Sequence, residues 1–332
     1  MPQGMPHYGD SGGRRMNDLV GGFEAASYAA KVSGAEVAFG RNPVGKIIGM
    51  SVSFSPVSAA CGSTLCEKRS IAFVSGVGME IAAASEMRIP VVAVNEPEID
   101  CSDILMARNA IIFLPESRQE IVDSTVLAYK ICEDSRVLLP AVMNVENPGL
   151  REVIKIPTEQ AVENILPKLK LPSRIDARKP CPFNLPSDDI SEQRLQQAKA
   201  MENAHEVMRK AFEKWDGKFK RKCGFFESYR MEDAEYVFVC FGQASAVVRY
   251  VVDYLRGRNE KAGMLRVSVL KPFDQGIAMA LKGKKTAVID TCGLLGMQGD
   301  ITLITSGKRI AEKDVSDVFA KLKKGESARL WL

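Results

Sequence analysis

The residues best placed to do chemistry are four small ones, Ser75-Gly76-Val77-Gly78, set between the apolar run Ile71 to Val74 and the alanine-rich stretch Met79 to Met87. Glycine carries no Cβ, so such a turn bends tightly and lets a bound group approach the backbone closely. Val91 to Val94, just past Pro90, reads as a second buried strand. Strand, turn, helix and strand together predict a right-handed crossover in a parallel sheet. Ligands of such sheets sit outside the carboxyl ends of the strands, which singles out two loops, Ser75 to Gly78 and Asn95 to Asp103. A purely structural strand-to-helix turn accounts for the same glycines, and both readings stay open.

Other chemistries find less support. Eight cysteines are spread along the chain without a Cys-x-x-Cys pair, and the histidines are His7 and His205 alone. A zinc or iron–sulfur site made by this chain is therefore not expected; Cys61 and Cys66, the closest pair, are expected as small buried thiols in a reducing compartment. His205 falls inside a helical pattern and reads as a surface or packing residue. The run Lys218-Phe219-Lys220-Arg221-Lys222 could touch phosphate, but a solvated helix end facing its own dipole explains it as well. Neither G-x-G-x-x-G nor a Walker P-loop occurs.

The elements that must hold these residues follow an alternating order. Residues 1–16 read as a flexible, glycine-rich arm without a signal core. Asn17 or Asp18 is expected to cap a helix running to Val32 with Gly34 as its stop, followed by a strand over Glu36 to Phe39 and a helix around Ser58 to Leu65. After the crossover come a strand at Asn109 to Leu114, a helix capped by Ser117 with Glu120, and a strand at Val137 to Val145. The proline-rich stretch 148–186 reads as extended chain, and a long amphipathic helix spans 191–222. A smaller layer occupies 231–332: strands at Tyr236 to Phe241, Met264 to Leu270 and Thr286 to Ile289, and helices after Gly242, after Phe273 and over Asp314 to Leu322, before a terminal Ala328 to Leu332. Alternation throughout means α/β.

Composition bounds the class. A chain of 332 residues, 46% hydrophobic and 26% charged, is a soluble globular protein long enough for about two domains. Its 45 basic and 41 acidic residues leave a net charge of +4, too balanced to argue for nucleic acid or a membrane surface. No apolar run is long enough to span a bilayer, so the expected compartment is cytoplasmic.

The order of motifs resembles one family, the α subunit of the 2-oxoacid:ferredoxin oxidoreductases, of which pyruvate:ferredoxin oxidoreductase is typical. The resemblance rests on GFEAA at Gly22 to Ala26, SAACGS at Ser58 to Ser63, the SGVG turn, MRIPVVAV at Met87 to Val94, CSDILMAR at Cys101 to Arg108 and ICEDSRVLLPAVM at Ile131 to Met143. Further on it takes in AMENAHEVM, YRMEDAEYVFVCFG and LRVSVLKPF at Leu265 to Phe273. It implies a parallel-sheet thiamine pyrimidine-type domain over 17–230, followed by a smaller transketolase C-terminal-like α/β domain over 231–332.

The same resemblance implies thiamine diphosphate with Mg at the interface with a β subunit carrying the diphosphate-binding half of the site. Iron–sulfur clusters would lie in partner subunits and none in this chain, γ and ferredoxin-like δ subunits would join, and ferredoxin would be the acceptor. The residues that carry over are Ser53, Ser75, Gly76 and Gly78 toward the cofactor, Asn42, Pro43, Ser102 and Asp103 as the substrate loop, and Arg108 toward the substrate carboxylate. An ion pair with Asp103 explains Arg108 equally well. In register the family's thiamine-activating glutamate falls at Ser53. Two functions stay open: oxidative decarboxylation of a 2-oxoacid to an acyl-CoA within the complex, or a non-catalytic structural or regulatory paralogue that has lost that glutamate.

Overall fold

The computed structural model describes residues 13–15, 19–40, 48, 50–52, 55–97, 107, 109–146, 149–172, 174–175, 178, 190–291, 293–305 and 309–331. Within these, the expected crossover is present. β4 (Ser70–Val74), α3 (Met79–Glu86) and β5 (Val92–Asn95) form one unit, and the two strands are parallel neighbours with Ile71 opposite Val92 and Val74 opposite Asn95. Both strands are buried on their two faces, which explains their unbroken apolar sequence.

Around this unit the first sheet has the order β12-β6-β7-β5-β4-β2-β3. Its other members are β2 (Val37–Gly40), β3 (Met50–Val52), β6 (Ile111–Phe113), β7 (Ala141–Asn144) and, antiparallel at one edge, β12 (Val269–Lys271). Helices α1 (Gly22–Val32), α4 (Arg118–Cys132) and α6 (Ile190–Phe219) cover one face. Helix α4 is capped as expected, the Ser117 hydroxyl accepting from the Glu120 N–H at 3.1 Å. Helix α1 starts later than expected. The proposed caps Asn17 and Asp18 lie outside the described residues, Gly21 takes the cap position, and the Glu24 carboxylate accepts from its N–H at 2.7 Å. Gly34, with φ +78°, ends the helix in the left-handed region that suits glycine.

The second sheet has the order β15-β14-β13-β10-β11-β9. It comprises β10 (Tyr236–Cys240), β11 (Ala262–Val267), β13 (Lys285–Thr291), β14 (Ile301–Thr305), β15 (Ala328–Trp331) and the antiparallel edge strand β9 (Phe226–Tyr229). Helices α7 (Ala244–Arg256) and α9 (Glu312–Lys324) cover one face. Of the apolar stripe expected on α7, Val248, Val251, Val252 and Leu255 are buried and Val247 is half-buried at its margin, each buried residue worth roughly 1.5–3 kcal/mol. Helix α8 (Gly276–Leu281) packs on the other face, where the first sheet's second apolar layer meets it.

Several expectations are corrected. The strand over Met264 to Leu270 is two strands: the chain breaks at Ser268, and β11 passes directly into β12 of the other sheet, so the sheets share one continuous segment. Strands β9 and β14 were not anticipated. Gly13–Arg15, within the expected arm, form β1 and pair antiparallel with β8 (Lys155–Pro157). The proline-rich stretch thus holds a strand and a short helix, α5 (Glu159–Glu163), capped by Thr158, in place of wholly extended chain. Cys66 is exposed and Cys61 half-buried, because only one side of α2 (Pro56–Leu65) meets the sheet. Arg221 is not a solvated helix end: its guanidinium makes two 2.8 Å bonds to buried Asp123. His205, by contrast, packs as expected, stacking on Phe225 at 4.3 Å and meeting Asp274 at 2.7 Å.

Candidate functional site

The strand order fixes where a site belongs. β2 leads outward to β3, whereas its other neighbour β4 leads the opposite way to β5. The connections diverge between β2 and β4, a topological switch point, the place where sheets of this kind bind ligands. The turn Ser75 to Gly78 leaves β4 at that point, with Ser75 and Gly76 exposed, and Met79 beyond it is 68% exposed. Asn42 and Pro43 follow β2, and Ser53 follows β3; all three, like Ser102, Asp103 and Arg108, lie outside the described residues.

Gly78 caps α3 with extended backbone, and a Cβ there would overlap the Glu80 carboxylate, which folds back over the turn. The Ser55 hydroxyl, just before α2, donates to that carboxylate at 3.1 Å. An acidic group in the first turn of α3 is favoured by the helix dipole. Burial, reinforced by the Glu80 charge, pushes the neighbouring Cys61 thiol up to about 12, so it stays protonated and is no nucleophile.

Sequence reasoning placed Asn95 at the edge of a loop and did not single out its partners. Asn95 and Asn144 stand opposite each other at the last positions of β5 and β7, and the Asn95 amide donates to Asn144 Oδ1 at 2.9 Å. Both are buried, and Asn95 Oδ1 and Asn144 Nδ2 have no hydrogen-bond partner. One residue on, Glu96 accepts from the Phe23 N–H at the start of α1, and burial lifts its carboxyl to about 7 against the pull of Arg118. Glu146 accepts from the Gln243 N–H at 2.8 Å, and burial lifts it to about 7 as well. One oxygen of each carboxyl is unpartnered.

Unsatisfied buried polar atoms each cost about 1–3 kcal/mol. Asn95 and Asn144 carry two of them as one hydrogen-bonded pair at the carboxyl ends of adjacent central strands, whereas Glu96 turns to α1 and Glu146 to the second sheet. The asparagine pair suits a polar ligand or ordered water. The signal in the sequence is a polar residue ending an apolar strand twice over, in VAVNE and VMNVE. Among the described residues, no group of three or more His, Cys, Asp or Glu could hold a metal ion, and no helix is long and apolar enough to cross a membrane.

A mostly parallel sheet with a topological switch point between β2 and β4, joined to a second mostly parallel sheet, defines a two-sheet α/β protein. Residues 234–325 match the family model described as pyruvate:ferredoxin oxidoreductase core domain II. Over 268 residues the chain is 30% identical to pyruvate synthase subunit PorA of Thermotoga maritima, covering 74% of this chain and 68% of the relative. The same subunit of Pyrococcus abyssi is 30% identical over 285 residues, covering 78% and 72%. A solved 2-oxoglutarate:ferredoxin oxidoreductase from Magnetococcus marinus superposes with TM-score 0.66 at 15% identity, over 92% of this chain and 65% of that one, which speaks to the fold. The chain belongs to the α-subunit family of the 2-oxoacid:ferredoxin oxidoreductases, and is an oxidoreductase subunit.

Proposed function

We propose that this chain is the α-type subunit of a thiamine diphosphate-dependent complex that oxidatively decarboxylates a 2-oxoacid to an acyl-CoA and passes the electrons to ferredoxin. The observation that carries this reading is the topological switch point between β2 and β4, with exposed Ser75 and Gly76 leaving β4 beside it. A β subunit brings the diphosphate-binding half and the Mg ion against that face; iron–sulfur clusters belong to partner subunits.

Thiamine diphosphate would supply a carbanion that adds to the oxoacid carbonyl. This chain's share is to seat the pyrimidine half. Ser75 and Gly76 leave the backbone accessible, Gly78 lies under the Glu80 carboxylate, and the unpartnered atoms of Asn95 and Asn144 offer one acceptor and one donor at the ends of the neighbouring strands β5 and β7. The apolar layer behind them, Ala72, Ala93 and Val142, keeps water out. Arg108 is proposed to grip the substrate carboxylate, with Asn42, Pro43, Ser102 and Asp103 completing the substrate loop.

Position 53 favours a second reading. A serine hydroxyl titrates far above neutral pH, so it cannot take or hold the pyrimidine proton as the family glutamate does. A non-catalytic paralogue that keeps the fold and the β-subunit interface is consistent with that residue. Purifying the native complex, measuring its thiamine content and assaying 2-oxoacid-dependent dye reduction separates the two. Cofactor and turnover support the first reading. Ser53→Glu gaining turnover in a complex that otherwise has none supports the second.

A further inference from the structure

Strands β13 and β14 are parallel neighbours, yet the connection between Thr291 and Ile301 has no helix among its described residues. Parallel connections normally carry a helix that covers one face of the sheet. In this sheet Ile301 and Leu303 turn toward α7 and α9. Thr302 and Ile304 face the opposite way, paired with Arg329 and Trp331 of β15, and Asp290 stands opposite Ile304. On that face, in place of a helix, is a cavity of about 380 Å3 lined by Asp290, Gln298, Thr302, Ile304, Ser327 and Arg329 together with a glycine-rich loop. This volume is within the range of small-molecule sites.

The loop has the spacing Gly293-x-x-Gly296-x-x-Gly299, and two of its glycines are required by left-handed backbone, φ +73° and +60°. Gly299 is required by contact, since a Cβ would stand 2.7 Å from the Thr286 carbonyl oxygen. The loop therefore bridges the sheet while filling little of the space above it. Its acids are used internally. Both Asp290 oxygens accept from the Leu295 N–H, at 3.1 and 3.0 Å, and Asp300 Oδ2 accepts from the Thr286 N–H at 2.6 Å. Thr302 Oγ1 accepts from the Gly299 N–H, leaving its own proton to donate. The donors facing a ligand are the Arg329 guanidinium, whose charge also acts on Asp290, the Thr302 and Ser327 hydroxyls and the Gln298 amide. Arg329 lies over the ring of Trp331 at 5.3 Å, and Trp331 is 65% exposed.

We propose that this cavity binds a nucleoside monophosphate, its phosphate on Arg329, Thr302 and Ser327 and its base against Trp331. A guanidinium with flanking hydroxyls matches phosphate oxygens, and an exposed indole offers a stacking face to a planar base. In the free site Arg329 offsets the Asp290 carboxylate, so a bound phosphate competes with Asp290 for it, and with Asp300 also in the lining a single phosphate is the most the site takes. The site lies in the second sheet, apart from the β2–β4 switch point, and does not rest on the subunit reading.

Isothermal titration of the full chain with AMP, adenosine and inorganic phosphate, with no partner or thiamine present, tests it. Saturable AMP binding is expected, with adenosine and phosphate each at least about tenfold weaker. Arg329→Met is expected to weaken AMP by at least about tenfold, and Trp331→Ala to weaken AMP while leaving phosphate unchanged. Both side chains are exposed, so an unaltered melting curve will show that the variants are folded. No AMP binding, AMP no tighter than adenosine, or AMP affinity unchanged by Arg329→Met overturns the proposal. Phosphate binding as tightly as AMP overturns the nucleoside half.

Discussion

The Glu146 carboxyl accepts the backbone N–H of Gln243 at 2.8 Å, joining the end of β7 in the first sheet to the start of α7 on the second. Gly242 beside it adopts φ +55°, and a Cβ there would overlap the same carboxyl. The contact is therefore shaped by both layers, and it places an acid without a counter-charge where the two meet.

Its pH dependence follows from burial, which lifts Glu146 from 4.5 to about 7. A carboxyl with a raised folded pKa favours the folded state in its neutral form. That contribution is whole below about pH 4.5 and is lost as pH rises through about 7. The shift corresponds to roughly 3 kcal/mol. Glu146→Gln keeps the shape and the acceptor but cannot ionise. Urea denaturation is expected to show little difference at pH 5 and a more stable variant by up to about 3 kcal/mol at pH 8.5. An equal difference at both pH values would contradict the assignment.

Arg221 and Asp123 make a second, different test. Asp123 is 3% exposed and receives two hydrogen bonds from Arg221, which also covers Trp215 at 5.7 Å. Removing one member strands the other in a poor solvent. Arg221→Ala should cost about 3–5 kcal/mol, measured by the denaturation midpoint at neutral pH. Adding Asp123→Asn to it should recover part of the loss, because the stranded charge is gone.

How much of this was legible in the sequence depended on whether a feature is local. The crossover could be read because an apolar run, a glycine turn, an alanine-rich helix and Pro90 follow one another within about one βαβ unit. The Ser117 cap could be read for the same reason. The pairing of Asn95 with Asn144 could not, because the register of two strands nearly fifty residues apart brings them together. Arg221 looked like a solvated helix end, since nothing within its own helix reveals Asp123. The break at Ser268 was not legible because Met264 to Leu270 keeps apolar residues on either side of Arg266 and Ser268 and reads as one strand, and only the pairing of β12 with β6 of the first sheet decides where it turns. The family resemblance supplied the cofactor and the substrate loop, which no periodicity shows.

The paired asparagines predict a trade between stability and binding. If their unpartnered atoms await a ligand, Asn144→Val removes a buried polar group with an unused donor and leaves Asn95 with the greater deficit. The double variant Asn95→Val with Asn144→Val should hold the free chain's melting temperature or raise it, while thiamine diphosphate binding by the assembled complex falls by at least about tenfold. A double variant that melts lower and binds normally would make the pair structural.

The account turns on whether a second polypeptide closes the face at Ser75, Gly76 and Met79. Hydrogen–deuterium exchange at residues 75–79, compared between the free chain and its native assembly, measures this directly. Exchange slowed by at least about tenfold in the assembly is the result predicted. Equal exchange in both, with the assembly otherwise intact, would contradict it.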